Sequence, residues 1–187
     1  MVIQDVTGKQ VEKLLRSRIL RPLGLRNTRI SALPRIRPPV LHAYTSERGP
    51  YEDSTFWSPS WTIAASMIMT STIGDVMKSA KALGTGALIS KAAARERIAP
   101  TSAGLPGFSQ SLYYGLGVVI SNTWEIQNPE LNGYTAIMAY LPSGRISVAL
   151  VVTKGERAAA TGNNYSQLLF TAISEYLTPD HPARFPG

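Results

Sequence analysis

Tyr113-Tyr-Gly-Leu-Gly-Val-Val-Ile-Ser121, Tyr134-Thr-Ala-Ile-Met-Ala-Tyr-Leu141 and Arg145-Ile-Ser-Val-Ala-Leu-Val-Val-Thr153 are runs rich in β-branched and aromatic residues, each too short for a helix. They read as three antiparallel strands. Pro142-Ser143-Gly144 turns the second into the third, because Pro holds φ at a turn value and Gly accepts positive φ. The stretch Trp124-Glu-Ile-Gln-Asn-Pro-Glu-Leu-Asn-Gly133 reads as a loop joining the first two strands and as the place where a site would sit. Val148-Ala-Leu-Val-Val152 is apolar without interruption, where a half-exposed strand alternates with polar residues. Such a run belongs in the middle of a sheet. The hairpin supplies one neighbour, no other segment reads as a second, and the sequence therefore predicts a missing partner strand.

Outward from the sheet, the helix signals are local. Thr7-Gly8-Lys9-Gln10 has the Thr-x-x-Gln form of a capping box, and Val11, Leu14, Leu15 and Ile19 follow at helical spacing. This predicts a helix over residues 8–20, stopped by Pro22. Thr72-Ile-Gly-Asp75 starts a second helix bearing Val76, Met77, Ala80 and Leu83 and ended by Gly84. Ser90 caps a short third helix through Ile98, stopped by Pro100. Asn163 or Asn164 precedes a strong amphipathic helix carrying Leu168, Leu169, Ala172, Ile173, Tyr176 and Leu177, which needs a flat apolar surface. The sheet is that surface. Residues 181–187 read as a frayed tail.

Residues 26–60 carry Pro34, Pro38, Pro39, Pro50 and Pro59 and no sustained period. Tyr44, Tyr51, Phe56, Trp57 and nearby Trp61 give this long connection something to bury. Two readings fit those aromatics equally: walls of a binding cleft, or anchors of a loop on the core.

The order of elements is α+β: an antiparallel sheet of three strands flanked by helices. With 187 residues and 44% apolar content, residues 1–187 form one domain or the larger part of one. A helical and loop region spans 1–100, and the strands with the C-terminal helix span 101–187. Zero Cys excludes thiolate metal sites, and two His are too few for an ordinary zinc centre, so neither metal nor cofactor is expected. No apolar run is long enough to span a membrane. Residues 1–7 lack the regions of a signal peptide, which reads as a chain that stays where it is made. The net charge of +7 is concentrated in Lys9, Lys13, Arg16, Arg18, Arg21, Arg26, Arg29, Arg35 and Arg37. No aromatic residue interleaves them. A solvated basic face is the expectation, ahead of nucleic-acid binding.

The search for chemistry returns little. No Ser is followed three residues later by Lys, and Gly107-Phe-Ser-Gln-Ser111 misses the Gly-x-Ser-x-Gly elbow and reads as a turn. His42 stands in a Pro-rich loop near Glu47, Glu52 and Asp53, with a structural role favoured over a base. No catalytic residue is assigned.

Several segments nevertheless resemble one family when taken together and in order. These are Met1-Val-Ile-Gln-Asp-Val-Thr-Gly-Lys-Gln10, Ile19-Leu-Arg-Pro-Leu-Gly-Leu-Arg-Asn-Thr28, His42-Ala-Tyr44, Met69-Thr-Ser-Thr-Ile-Gly-Asp75, Tyr114-Gly-Leu-Gly117, Gly133-Tyr134 and Tyr140-Leu-Pro142. They resemble the serine β-lactamase and DD-peptidase superfamily, specifically the class C-like, β-lactamase-related serine hydrolases that include penicillin-binding carboxypeptidases and esterases. The resemblance implies a three-layer sandwich whose complete sheet has five strands, flanked by terminal helices. It implies an acyl-serine mechanism using Ser-x-x-Lys, Tyr-x-Asn and a third motif, Lys-Thr-Gly or His-x-Gly, on a sheet strand. The first two are absent from this sequence, and the segment resembling residues 1–10 normally follows Tyr-x-Asn, so the chain resembles a C-terminal half. In the family the strand equivalent to residues 145–153 pairs with one from the N-terminal half, which is the implied partner. Aligning Gly133-Tyr134 places Gln127-Asn128-Pro129 at the third motif. Gln127 and Asn128 are thereby substrate-contact candidates, with Tyr44 and Trp57 shaping the leaving-group side. A loop amide bonding backbone is the equal alternative for Gln127.

Overall fold

The computed structural model describes residues 2–31, 33–58 and 68–185. Trp61 lies outside the described residues. In chain order the elements are α1 (Val2–Thr7), α2 (Val11–Leu15) continued by a π-helical turn (Arg16–Leu20), β1 (Arg29–Ile30), β2 (Tyr44–Thr45), β3 (Glu52–Asp53) and β4 (Met69–Thr70). There follow α3 (Ile73–Thr85), α4 (Lys91–Arg97), β5 (Leu112–Tyr114), β6 (Val119–Ser121), β7 (Trp124–Gln127) and β8 (Glu130–Leu131). The chain closes with β9 (Tyr134–Leu141), β10 (Ile146–Thr153), α5 (Glu156–Thr161) and α6 (Tyr165–Leu177).

A six-stranded antiparallel sheet in the order β10-β9-β7-β6-β5, with β8 also on β9, carries the fold. β9 and β10 pair along their full lengths, Ile146 opposite Leu141 and Thr153 opposite Tyr134. Because side chains alternate, this register divides the sheet into two apolar faces. On one face Val119, Trp124, Ile126, Ile137, Ala139 and Leu141 meet Phe170 of α6, with Ile146, Val148 and Leu150 packed against them. Trp124 and Phe170 meet edge to face at 5.0 Å. α3 lies across β9 and β10 on the opposite face. Helix, sheet and helix form three layers.

The close seat of α3 depends on Gly84, where an added Cβ would lie 1.9 Å from Tyr140 Cδ1. Gly84 is thus inside α3 as a contact residue, and the helix runs on to Thr85 with Gly86 as its left-handed cap. The predicted stop at Gly84 misread a packing glycine as a terminating one. The caps themselves stand where expected: Thr72 accepts from Asp75 N, Ser90 from Ala93 N and Asn164 from Gln167 N.

Other expectations are corrected. Thr7 ends α1 rather than capping α2: its hydroxyl donates to Ile3 O, and Gly8 breaks the helix at φ 62°. Tyr113–Ser121 is two strands, because Gly115 and Gly117 bend it into the β5–β6 hairpin, with Gly115 N donating to Val118 O. The loop predicted over 124–133 is mostly strand, since β7 and β8 both pair with β9. The tail is not frayed as far as Phe185. Ala183 is fully buried, the Ser121 hydroxyl both accepts from Arg184 N and donates to Arg184 O, and Phe185 meets Phe170.

β10 stands at the edge of the sheet with β9 as its only paired neighbour among the described residues. All eight of its residues are half-buried. An eight-residue apolar strand with an open backbone edge and no charge, Pro or bulge within it is the type of edge that sheets ordinarily cover.

Candidate functional site

The candidate motif Gln127-Asn128-Pro129 sits inside a hairpin. Gln127 faces Met138 and Glu130 faces Thr135, so two residues separate the rungs on each strand and the register continues across the gap. Pro129 has no N–H to donate, which interrupts β7 from β8, yet its carbonyl accepts from Ala136 N at 3.0 Å. Asn132 and Gly133, at φ 47° and 87°, form the two-residue turn into β9. Asn-Gly between apolar runs was the sequence signal for this hairpin, and reading the stretch as loop overlooked it.

Gln127 shares a sheet face with Glu125, Tyr140 and Met138, while Asn128 falls on the other face by alternation. The two candidate contacts therefore do not point into one site together. The Gln127 side-chain amide donates to Gly117 O, across the mouth of the β5–β6 turn. A neutral amide cannot shuttle a proton as His does, so Gln127 is equipped to hold backbone or substrate but not to act as a base.

Beneath Gln127 lies an ion pair the sequence did not single out. Arg97 at the end of α4 donates to Glu125 Oε2 at 2.9 Å, both side chains being largely buried. Arg97 also donates to Leu83 O near the end of α3, and its own carbonyl accepts from Leu116 N at 2.7 Å. One residue so ties α3, β7 and the 115–117 turn. Gly115 is needed there, as a Cβ would lie 2.1 Å from Arg97 O. Burial pushes the Glu125 carboxyl above its usual pKa while Arg97 works against it. Burial, with Glu125 nearby, likewise raises the Tyr113 phenol, whose hydroxyl donates to Ile98 O.

Tyr44 and Trp57 lie on the connection that meets the hairpin tip. Gly133 abuts Tyr44 O so closely that a Cβ would stand 2.2 Å from it, and Ser54 donates to Asn132 O. The Tyr44 ring stacks on Tyr51 at 5.6 Å, and Tyr51 OH donates to Lys154 O. Arg48 lies 3.7 Å over the Trp57 ring. Both candidate aromatics thus have partners within the protein. The extended stretch from Gln127 to Leu131, about 13 Å at ~3.3 Å per residue, separates Gln127 from the hairpin turn on which Tyr44 packs. The structure does not gather the four candidates around one point.

His42 has more company than its sequence context suggested. Its Nδ1 lies 2.8 Å from Asp53 Oδ2 and 3.4 Å from Thr55 Oγ1, while Tyr134 OH donates to Leu41 O. The Thr55 hydroxyl and N–H, then His42, hold the Asp53 carboxyl below its usual value. Burial, reinforced by Asp53 and opposed by Thr55, raises the Tyr134 phenol. Hydroxyl and carboxylate address the same imidazole nitrogen. A nucleophile relay needs them on opposite nitrogens, so this cluster ties down a loop and does not activate Thr55. Ser109 and Ser111 sit in the turn before β5. Among the described residues no three His, Cys, Asp or Glu converge as a metal would require.

The family model described as Beta-lactamase matches residues 1–172. No curated protein matches the chain. Among solved structures, the D-amino acid amidase from Ochrobactrum anthropi SV3 complexed with L-phenylalanine amide is 26% identical, with TM-score 0.66, over 83% of this chain and 47% of its own. The penicillin binding protein from Bacillus halodurans is 18% identical, with TM-score 0.63, over 86% and 51%. FmtA from Staphylococcus aureus is 17% identical, with TM-score 0.67, over 100% and 49%. The chain spans about half the length of each.

Proposed function

The chain belongs to the beta-lactamase family, whose model matches residues 1–172, and on that premise we propose that it is the C-terminal portion of a serine hydrolase acting on amides or esters. The family is of serine-hydrolase type. In the reaction proposed, a serine is acylated, water then releases the acyl group, and backbone N–H groups stabilise the oxyanion. β-Lactams and cell-wall peptides are substrates of the appropriate class. This sequence contains neither Ser-x-x-Lys nor Tyr-x-Asn, so the nucleophile and its lysine come from a companion region. That region supplies the strand that covers β10 and completes the sheet. In the assembled enzyme Gln127 is the substrate contact on its face of the sheet, while Asn128, on the other face, and Tyr44 and Trp57, both engaged within the protein, are left outside that contact. Gln127 turns from Gly117 O to the substrate.

The observation that carries this reading is the open, half-exposed edge of β10 in a chain half the length of the solved structures it resembles. The purified chain alone is expected to hydrolyse neither nitrocefin nor p-nitrophenyl acetate. Mixing with a separately produced N-terminal half bearing both motifs is expected to give a soluble complex that does. Turnover by the isolated chain would falsify the proposal.

A second reading rests on Pro129 at a Gly position of the third motif and on the internal bond of Gln127. Under it the protein is a non-catalytic or degenerate module that pairs with a companion chain without turning substrate over. A complex that forms and binds a β-lactam reversibly, with no acyl-enzyme in its mass spectrum, selects this reading.

A further inference from the structure

The helical start of the chain carries a feature outside the hydrolase reading. Lys9, Lys13, Leu14, Arg16, Ser17 and Arg21 line a hollow of about 500 Å³. The one ion pair at this place among the described residues is Arg16 with Glu12, at 3.1 Å and half exposed. The hollow contains no carboxylate in its lining and no aromatic ring.

Its shape comes from the π-helical turn. Arg21 N donates to Arg16 O at 3.0 Å, a step of five residues. In an α-helix residues five apart point about 140° away from each other. The π turn brings Arg21 nearer the side of Arg16 than an α-helix would, and both line the hollow with Lys13. Val11, Leu14 and Leu20 are buried and lock the helix in that orientation. Lys9, Lys13 and Arg21 stand together with Arg16, itself paired to Glu12, at a point where the backbone departs from ordinary helix geometry.

We propose that this hollow is a binding site for ligands carrying clustered phosphate groups. The guanidinium forks of Arg16 and Arg21 suit phosphate oxygens, while Lys9 and Lys13 act as point charges at the rim. Several cationic side chains around one hollow suit more than one phosphate at once, so a polymer or an array of headgroups matches it better than an isolated ion. Without an aromatic platform it has no means of stacking bases, which separates it from single-strand nucleic-acid sites.

The test is isothermal titration of the whole chain with linear polyphosphate, alongside two double variants. Affinity for the wild type is expected to fall roughly 10- to 50-fold between about 50 and 200 mM NaCl, as for release of a few counterions. Lys13→Gln with Arg21→Gln is expected to weaken binding at least 10-fold. Lys91→Gln with Arg95→Gln removes two exposed cations from α4 and is expected to leave binding unchanged. Circular dichroism confirms that both variants are folded. Co-sedimentation with phosphatidylglycerol vesicles, reversed by polyphosphate, identifies a lipid headgroup as the source; polyphosphate binding without co-sedimentation identifies a soluble polymer. No binding at low salt, salt-independent binding, equal loss in both variants, or preference for single-stranded DNA over polyphosphate overturns the proposal.

Discussion

Replacing Gly84 by Ala tests whether α3 is seated on the sheet as described. On an exposed helix the change is stabilising by about 0.5–1 kcal/mol, because Ala loses less backbone entropy than Gly. Here the new Cβ would stand 1.9, 2.2 and 2.6 Å from Cδ1, Cγ and Cβ of Tyr140. Carbon atoms in contact prefer ~3.5–4.0 Å, so helix and strand must part by roughly 1.5 Å or more. Tyr140 Cβ is fixed to β9 and cannot rotate away, and Tyr140 is only 5% exposed, so the ring has no route out to solvent without moving its neighbours. Overpacking of this kind costs ~1–3 kcal/mol and more where backbone moves. The net expectation is destabilisation by about 1–2 kcal/mol, a fall in Tm of ~2–8 °C for a chain of this size. Urea and thermal unfolding followed by far-UV circular dichroism measure it. Tyr140→Ala alone is strongly destabilising, but in that background Gly84→Ala is expected to become favourable, giving a coupling of at least ~1.5 kcal/mol. A Gly84→Ala chain as stable as wild type, or effects that simply add with Tyr140→Ala, would refute the contact.

Asp75 is 1% exposed; its carboxylate accepts from Asn27 N at 2.8 Å and Thr28 Oγ1 at 3.1 Å and pairs with Lys78 at 3.3 Å. Burial pushes its pKa up, but these partners outweigh burial and the net shift is downward. A lowered folded pKa means stability present above the unfolded carboxylate value near 3.8 and lost as pH falls through the folded value. Asp75→Asn is expected to cost about 1.5–3 kcal/mol at pH 7 and to flatten this acid limb, read from urea midpoints against pH. Arg97→Met leaves Glu125 buried without its cation and is expected to cost ~3–5 kcal/mol, most of it recovered by adding Glu125→Leu. Equal stability of the single and double variants in chemical denaturation counts against that pair.

The helix starts were legible because their signals are local: Thr72, Ser90 and Asn164 cap the turn they begin, within three residues. The apolar runs of β9 and β10 were legible for the same reason, and among the described residues β10 pairs with β9 alone. The site was less so. Nothing local relates Arg97 to Glu125, 28 residues on, or Tyr44 to Gly133, and Gly84 looks the same in sequence whether it ends a helix or receives a tyrosine ring.

The amino-acid order by itself determined the α+β character and the strand-forming runs, since period and propensity are properties of a few adjacent residues. Tertiary structure alone decided that Tyr44 packs on the Gly133 turn, that Arg97 reaches Glu125, and that a π turn gathers Arg16 and Arg21 at one hollow. Those arrangements arise from sheet register and from packing between segments remote in the chain, where small differences among many contacts choose the outcome and no short stretch contains the answer.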